Sequence, residues 1–312
     1  EAVRIFTGAA LPAGADAIVI QEDTTRDGEI VRVVSGSIDP EHVRPKGGDF
    51  AANQALLDSG RLLDARAITL AAAAGHATLP VRRRPVVALL ATGDELVLPG
   101  EAPRADQIVC SNPFGIAAMI RQAGGDPKFL GIARDTQDDL KAHLEKGRGA
   151  DIIVTIGGAS VGDHDLVGPV LGELGMSLAF WKIAMRPGKP LMFGKLGGQR
   201  VLGLPGNPVS SLVTTRIFLI PLLRALLGLA PESDRRTTAV TTVDLEKNGP
   251  RAHYMRGRLG RDGAGRTTVT PVRSQDSSLL TPLADADSLI VRPINAAALV
   301  AGEPVTILPL EF

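Results

Sequence analysis

Five short apolar runs, at residues 86–91, 128–133, 151–156, 178–183 and 200–204, alternate with helical stretches and constrain this chain more than any other feature. Runs of that kind are covered on both faces, and their alternation with helices predicts an α/β domain with a mostly parallel sheet. The helices carry their own punctuation. Asn112 reads as an N-cap with Pro113 at the first helical position, and Gly124 ends that helix. Thr136 opens a second helix that runs to about Lys146. Asn207-Pro208 opens a long third one through Arg224, with a kink expected at Pro221.

In an open α/β sheet, ligands sit beyond the carboxyl ends of the strands. Each predicted end here carries a polar tip: Thr92-Gly-Asp-Glu95, Arg134-Asp135, Gly157-Gly-Ala-Ser160-Val-Gly162-Asp163-His-Asp165, Met185-Arg-Pro-Gly-Lys-Pro190 and Pro205-Gly-Asn-Pro208-Val-Ser210. The third is the densest. Its glycines and Ser160 offer backbone amides to an anion, and Asp163 and Asp165 offer carboxylates to a divalent metal. The same residues also suit an ordinary βα turn whose aspartate caps the next helix, and the loop alone does not separate the two readings. Taken together, the tips allow Glu95, Asp135, Asp163 and Asp165 to converge with Arg186, Lys189 and a helix N-terminus. That mixture suits a magnesium-bound phosphate ester.

The flanks differ in texture. Residues 1–52 are β-rich, with runs at 3–6, 16–20 and 29–34. Residues 53–81 are helical, with Asp64 capping a helix that Gly75 stops. The α/β domain spans 82–230 and starts in a basic linker, Arg82-Arg-Arg-Pro85. Residues 231–312 read as a C-terminal all-β, barrel-like domain with strands at 237–245, 252–259, 266–272, 288–292 and 304–308.

Lys+Arg and Asp+Glu both number 34, which leaves no basic footprint for nucleic acid. The apolar region 217–230 is interrupted by Pro221 and Arg224 and is too short to span a bilayer. A single cysteine, Cys110, excludes an internal disulfide and points to a reducing, cytoplasmic setting. The chain opens in a strand-like run without an initiator methionine, so an N-terminal portion is expected to be missing.

The tips also carry a resemblance. Gly157 to Asp165 with Thr92-Gly-Asp-Glu-Leu96 resembles the domain shared by molybdopterin-binding enzymes. Residues 181–190, Trp-Lys-Ile-Ala-Met-Arg-Pro-Gly-Lys-Pro, and 203–210, Gly-Leu-Pro-Gly-Asn-Pro-Val-Ser, are similar to the molybdopterin molybdenumtransferase family, which includes the gephyrin E domain. Residues 4–8, 13–17 and 43–49 resemble N-terminal motifs of that family. The resemblance implies insertion of molybdate into adenylylated molybdopterin with release of AMP, dependent on magnesium or a similar divalent ion, in an elongated homodimer. It places Glu95, Asp135 and Asp165 around the metal and the adenylylated phosphate. Gly157, Gly158, Ser160 and Gly162 would cradle the pterin phosphate side. Lys182, Arg186 and Lys189 would hold oxyanions, in a pocket shaped by Pro205, Asn207, Pro208 and Ser210.

By the same resemblance, Thr7 and Asp49 would complete the cleft from a partner subunit, and Arg256 and Ser277 or Ser278 would reach in from the β domain. Arg186 stands where some members have lysine. Transient contact with molybdopterin adenylyltransferase or with molybdoenzyme-maturation proteins is implied as well. Two alternatives share these features: molybdopterin adenylyltransferase itself, which lacks both β regions, and a non-catalytic gephyrin-like scaffold.

Overall fold

The computed structural model describes residues 2–34, 42–158, 166–230 and 235–310. The chain forms two compact units: Glu1–Ser59 with Leu63–Ala77, and Gly60–Leu62 with Thr78–Phe312.

In the first unit, β1 (Thr24–Asp27) and β2 (Ile30–Val33) form an antiparallel hairpin, turned at Gly28 with φ 57°. The runs at 3–6 and 16–20, read as strands, join no ladder among the described residues. An apolar run becomes a strand only where a neighbour exchanges backbone hydrogen bonds with it. Helix α1 (Ala65–Ala73) follows the sequence reading: the Asp64 carboxylate accepts from Ala67 N–H at 2.9 Å, and Gly75 takes φ 86° just past the end.

In the second unit, β3 (Val86–Thr92) leads into a small parallel pair, β4 (Leu96–Val97) and β5 (Ile108–Val109). Next come α2 (Asn112–Gln122), β6 (Asp126–Ala133), α3 (Gln137–Lys146), β7 (Ile152–Ile156) and α4 (Val167–Glu173). Four strands follow: β8 (Ser177–Trp181), β9 (Met185–Arg186), β10 (Met192–Leu196) and β11 (Gln199–Leu204). The long helix is continuous through α5 (Pro208–Thr214), a π-helical turn (Thr215–Leu219) and α6 (Ile220–Leu226). Its irregular turn lies just before Pro221, whose ring cannot donate back to the preceding turn.

The sheet order is β6-β3-β7-β11-β10-β8, and only β10 runs against its neighbours. Strand β10 is hidden in the sequence by Gly194. That glycine is required, because a Cβ there would lie 2.8 Å from the Ser177 carbonyl oxygen on β8.

Both faces of the sheet are buried. Leu89 and Val154 pack with Ile116, Leu204 and Leu219 on one face; Leu90 and Ile153 pack with Leu140, Leu171 and Val201 on the other. Each such side chain contributes about 1.5–3 kcal/mol. The linker is anchored to this sheet. Arg83 grips Asp151 through two 2.7 Å bonds, and Val86 N–H donates to the same carboxylate at 2.8 Å. The Arg83 hydrogen bonds hold the Asp151 carboxyl below its ordinary pKa.

At α2 the reading shifts by one residue. Ser111 is the N-cap, and Asn112, already helical, uses its amide elsewhere. The run Pro208–Leu226 is long and apolar enough to cross a membrane, yet half of it is buried in the protein. Val209 and Val213, then Leu219 and Leu223, fill two of the cores.

The C-terminal segment forms β12 (Thr237–Thr241), β13 (Ala252–Arg261), β14 (Thr267–Pro271), a short α7 (Thr281–Ala284), β15 (Ser288–Arg292) and β16 (Pro304–Pro309). Their order β14-β12-β16-β15-β13, with β13 pairing back onto β14, closes a barrel. Strand β9, from the loop after β8, adds in parallel to β13. One side of the barrel wall packs against α5 through Met185, Val209, Val213, Leu289 and Val291; Ala239, Val269, Ile290 and Ile307 fill a separate core.

Candidate active site

The strand order arranges the polar tips along one edge of the α/β sheet. Asp135 follows β6, Glu95 follows β3, Gly157 and Gly158 follow β7, Pro205 to Pro208 follow β11, and Lys182 follows β8. The acidic tips stand at one end and Lys182 at the other. Four strand spacings separate β3 from β8, about 19 Å.

At the acidic end, Glu95 folds back over Gly93. A Cβ on Gly93, whose φ is 142°, would lie 2.3 Å from the Glu95 Oε2 atom. The neighbouring tips are tied: Gly93 N–H donates to the Ala133 carbonyl at 3.1 Å, and Asp135 N–H to Asp94 Oδ1 at 3.3 Å. Glu95 and Asp135 are exposed, and among the described residues neither carboxylate has a hydrogen-bond or ion-pair partner. Among those residues no group of three His, Cys, Asp or Glu could hold a metal ion by itself. Two free carboxylates nevertheless fit magnesium, which binds through one or two of them and completes its shell with water and substrate phosphate. Asp165, with Ser160, Gly162, Asp163 and His164, lies outside the described residues.

Between the ends sits the glycine tip. Gly157 and Gly158 take φ 93° and 59°, and a Cβ on Gly158 would lie 2.5 Å from Val167 Cγ2. Thr92 lies beneath both glycines. Its hydroxyl is buried, has no partner among the described residues, and would be 3.1 Å from a Cβ on either one. Nothing in the sequence separates Thr92 from its neighbours; only the packing does.

The Pro205 tip is braced from both sides. Asn112 Nδ2 donates to the Gly206 carbonyl at 2.7 Å, and Ser211 Oγ donates to the Pro205 carbonyl. From the barrel side, Asn207 Nδ2 bonds Ser277 Oγ at 2.9 Å, and Val209 N–H donates to the Ser277 carbonyl at 3.1 Å. The first amide of α5 is therefore capped by the barrel's own loop. Pro205 and Ser210 are buried, whereas Asn207 and Lys189 are exposed.

Arg256 takes a different place from the one its motif implied. It is 2% exposed and donates to the carbonyls of Leu279 (3.0 Å), Ser274 (3.0 Å) and Asp276 (2.9 Å). Burial lowers its pKa. The guanidinium shapes the loop that carries Ser277, so it acts on the edge through that residue.

At the basic end, Lys182 adopts φ 66°, and its ammonium lies 4.1 Å from the centroid of the Trp181 ring. Arg186 lies on β9, directly opposite His253 on β13. His253 is held neutral, its pKa lowered to about 4 by burial first and then by Arg186, Arg251, Arg256 and Arg292. Cys110 is unsuited to nucleophilic work, because burial, assisted by Glu95, raises its pKa to about 11. Thr7 and Asp49 are exposed residues of the first unit.

Comparison with known proteins matches three regions in turn. A family described as "MoeA N-terminal region (domain I and II)" matches residues 1–75, one described as "probable molybdopterin binding domain" matches 88–225, and "MoeA C-terminal region (domain IV)" matches 238–310. The molybdopterin molybdenumtransferase of a Nostoc species is 36% identical over all of this chain and 73% of its own length. That of Haemophilus influenzae is 34% identical over all of this chain and 78% of its own length. A crystal structure of the molybdopterin biosynthesis MoeA protein from Pyrococcus horikoshii superposes with TM-score 0.79 at 31% identity, over 97% of this chain and 74% of that one. With the sheet edge, the braced Pro205 tip and the attached barrel, these matches establish that the chain is a transferase of the molybdopterin molybdenumtransferase family, which acts in molybdenum cofactor biosynthesis.

Proposed function

We propose that this chain inserts molybdate into adenylylated molybdopterin and releases AMP, in a magnesium-dependent reaction. The observation that carries the reading is the polarity of the sheet edge: free carboxylates at one end, a glycine tip in the middle and cationic groups at the other. An elongated substrate with a phosphoanhydride at one end and a dithiolene at the other matches that order.

Glu95 and Asp135, with Asp165, would hold the divalent ion, which when bound screens the phosphate charge and stabilises the departing AMP. Gly157 and Gly158 bring backbone close to the phosphate side, where no side chain could fit. Lys182, Arg186 and Lys189 lower the repulsion between molybdate and the electron-rich dithiolene and raise the local oxyanion concentration. Arg256 and Asn207 hold Ser277 at the rim of the same edge, beside Pro205, Pro208 and Ser210.

The chain acts as a homodimer in this reading, with Thr7 and Asp49 closing the partner's cleft. The exposed apolar residues Ile30, Val31 and Val33 on the hairpin of the first unit support a second copy. The adenylylated substrate is supplied by an adenylyltransferase, through a transient contact.

The decisive experiment mixes the purified chain with adenylylated molybdopterin, molybdate and magnesium and follows AMP. Release that needs both magnesium and molybdate, and that falls at least 100-fold in Glu95→Gln, supports the assignment. Undiminished release in Glu95→Gln removes the acidic end from the reaction. Equilibrium sedimentation that finds a monomer at micromolar concentration removes the shared cleft.

A further inference from the structure

We infer that Trp181 is the platform on which the pterin ring of the substrate stacks. This role rests on the insertion reading and completes it. There, carboxylates match the phosphate end and cations match the dithiolene end, yet no group meets the flat ring itself.

Trp181 is the only tryptophan in the chain and is 44% exposed. It closes β8, the outermost strand of the α/β sheet, at the end that Lys182 follows. Register sets it opposite Met192 on β10, and directly opposed residues project from the same face of a sheet. Met192 belongs to the core that holds Leu90, Ile153 and Leu171. Thr92, two positions beyond Leu90 on β3, lies on that same face beneath the glycine tip. The indole therefore stands at the rim of the face that carries the glycine tip, beside the basic end of the edge.

Its surroundings differ from those of other rings. Phe180 stacks on Phe193 with centroids 5.7 Å apart, Phe114 meets Phe129 at 6.1 Å, and Tyr254 packs in the cluster against α5. Trp181 instead carries a cation: the Lys182 ammonium sits over its face, 4.1 Å from the centroid. Left-handed backbone outside glycine is uncommon and concentrates at ligand-binding positions, and Lys182 adopts it with φ 66°.

The negative π-face that attracts an ammonium also attracts an electron-poor ring. The pyrimidine ring of a pterin is flat and electron-poor, and indole offers a broad electron-rich face. When an oxyanion draws the Lys182 ammonium toward itself, the pterin takes the vacated face in offset stacking. Dithiolene and pterin are joined in one ring system. An oxyanion held by Lys182 and a ring stacked on the preceding residue are thus neighbours in the substrate as well.

Because Trp181 is the only tryptophan, its fluorescence reports this position alone. Neopterin, which has the ring but neither phosphate nor dithiolene, should quench it saturably, and ribose 5-phosphate should leave it unchanged. Equilibrium dialysis should find neopterin bound about tenfold more weakly by Trp181→Leu, an exposed change that spares the fold. Trp181→Phe should recover most of that affinity. In the AMP-release assay, Trp181→Leu should raise KM for adenylylated molybdopterin about tenfold and leave kcat and the molybdate dependence near the parent's. A shifted molybdate dependence at unchanged KM would overturn the platform, because Trp181 would then only seat Lys182. Neopterin that fails to quench, or that binds Trp181→Leu and the parent alike, would overturn it too. A parent quenched by neopterin that releases no AMP would refute the insertion reading and leave the platform standing.

Discussion

The second unit contains two six-stranded sheets that handle charge in opposite ways. In the α/β sheet the interior strands β3 and β7 carry no charged residue, and the charged groups of the edge stand past the strand ends, at Glu95, Asp135 and Lys182. In the barrel sheet, charge lies within the strands: Arg256 and Arg292 are almost fully buried and bonded to backbone carbonyls. The first arrangement leaves the charged groups free for a ligand. The second spends one guanidinium on shaping a loop, and that loop is what reaches the edge of the first sheet.

The comparison can be broken most strongly in the apolar sheet. Leu90→Ala should cost about 2–5 kcal/mol, because its neighbours cannot collapse into the space; denaturant melts measure it. Arg256→Met should cost about 3 kcal/mol, since it strands three carbonyls, and should loosen the Ser277 tip, seen as faster amide exchange around residue 277. Arg256→Lys should recover little, because one ammonium does not span three acceptors. Retention of the loop's protection in Arg256→Met would mean that the arginine does not shape it.

A smaller effect concerns His253. Its folded pKa lies near 4 and its unfolded pKa near 6.5, so above about pH 6.5 it contributes nothing to the pH dependence. As pH falls from there toward 4, the unfolded chain binds a proton that the folded chain refuses. The full shift corresponds to about 3 kcal/mol, and because the ring is partly exposed and screened by solvent, stability should drop by on the order of 2 kcal/mol through that window and then level off. The His253→Leu variant should lose this component in pH-dependent melts. Smallest in stability is Gly93→Ala, about 1 kcal/mol. The new Cβ must push the Glu95 carboxylate aside, so magnesium-dependent AMP release should fall well beyond what the stability change explains.

The α/β sheet was legible because its strands are continuous apolar runs with Gly, Pro and Thr punctuation, and those signals are local. Strand β10 was not, because Gly194 answers to Ser177 on a neighbouring strand and has no local signature. The runs at 3–6 and 16–20 misled for the converse reason: they are apolar enough for strands, yet among the described residues no partner ladder meets them. Glu95 and Asp135 could be picked out as unpaired acids at strand ends. The hub role of Arg256 could not, since a loop-shaping arginine and a ligand-binding one look alike in one dimension. Thr92, Asn112 and His253 matter through what is packed beside them, and no residue pattern records that.

By itself the sequence determined the family, the order of the strands' polar tips and the chemistry they offer, because side-chain type and periodicity are properties of the chain. The tertiary structure alone decided that Glu95 and Lys182 stand about 19 Å apart on one edge, that β9 joins the barrel, and that Arg186, His253 and Arg292 form a row. Strand order and register set those distances, and both arise from pairings between segments far apart along the chain.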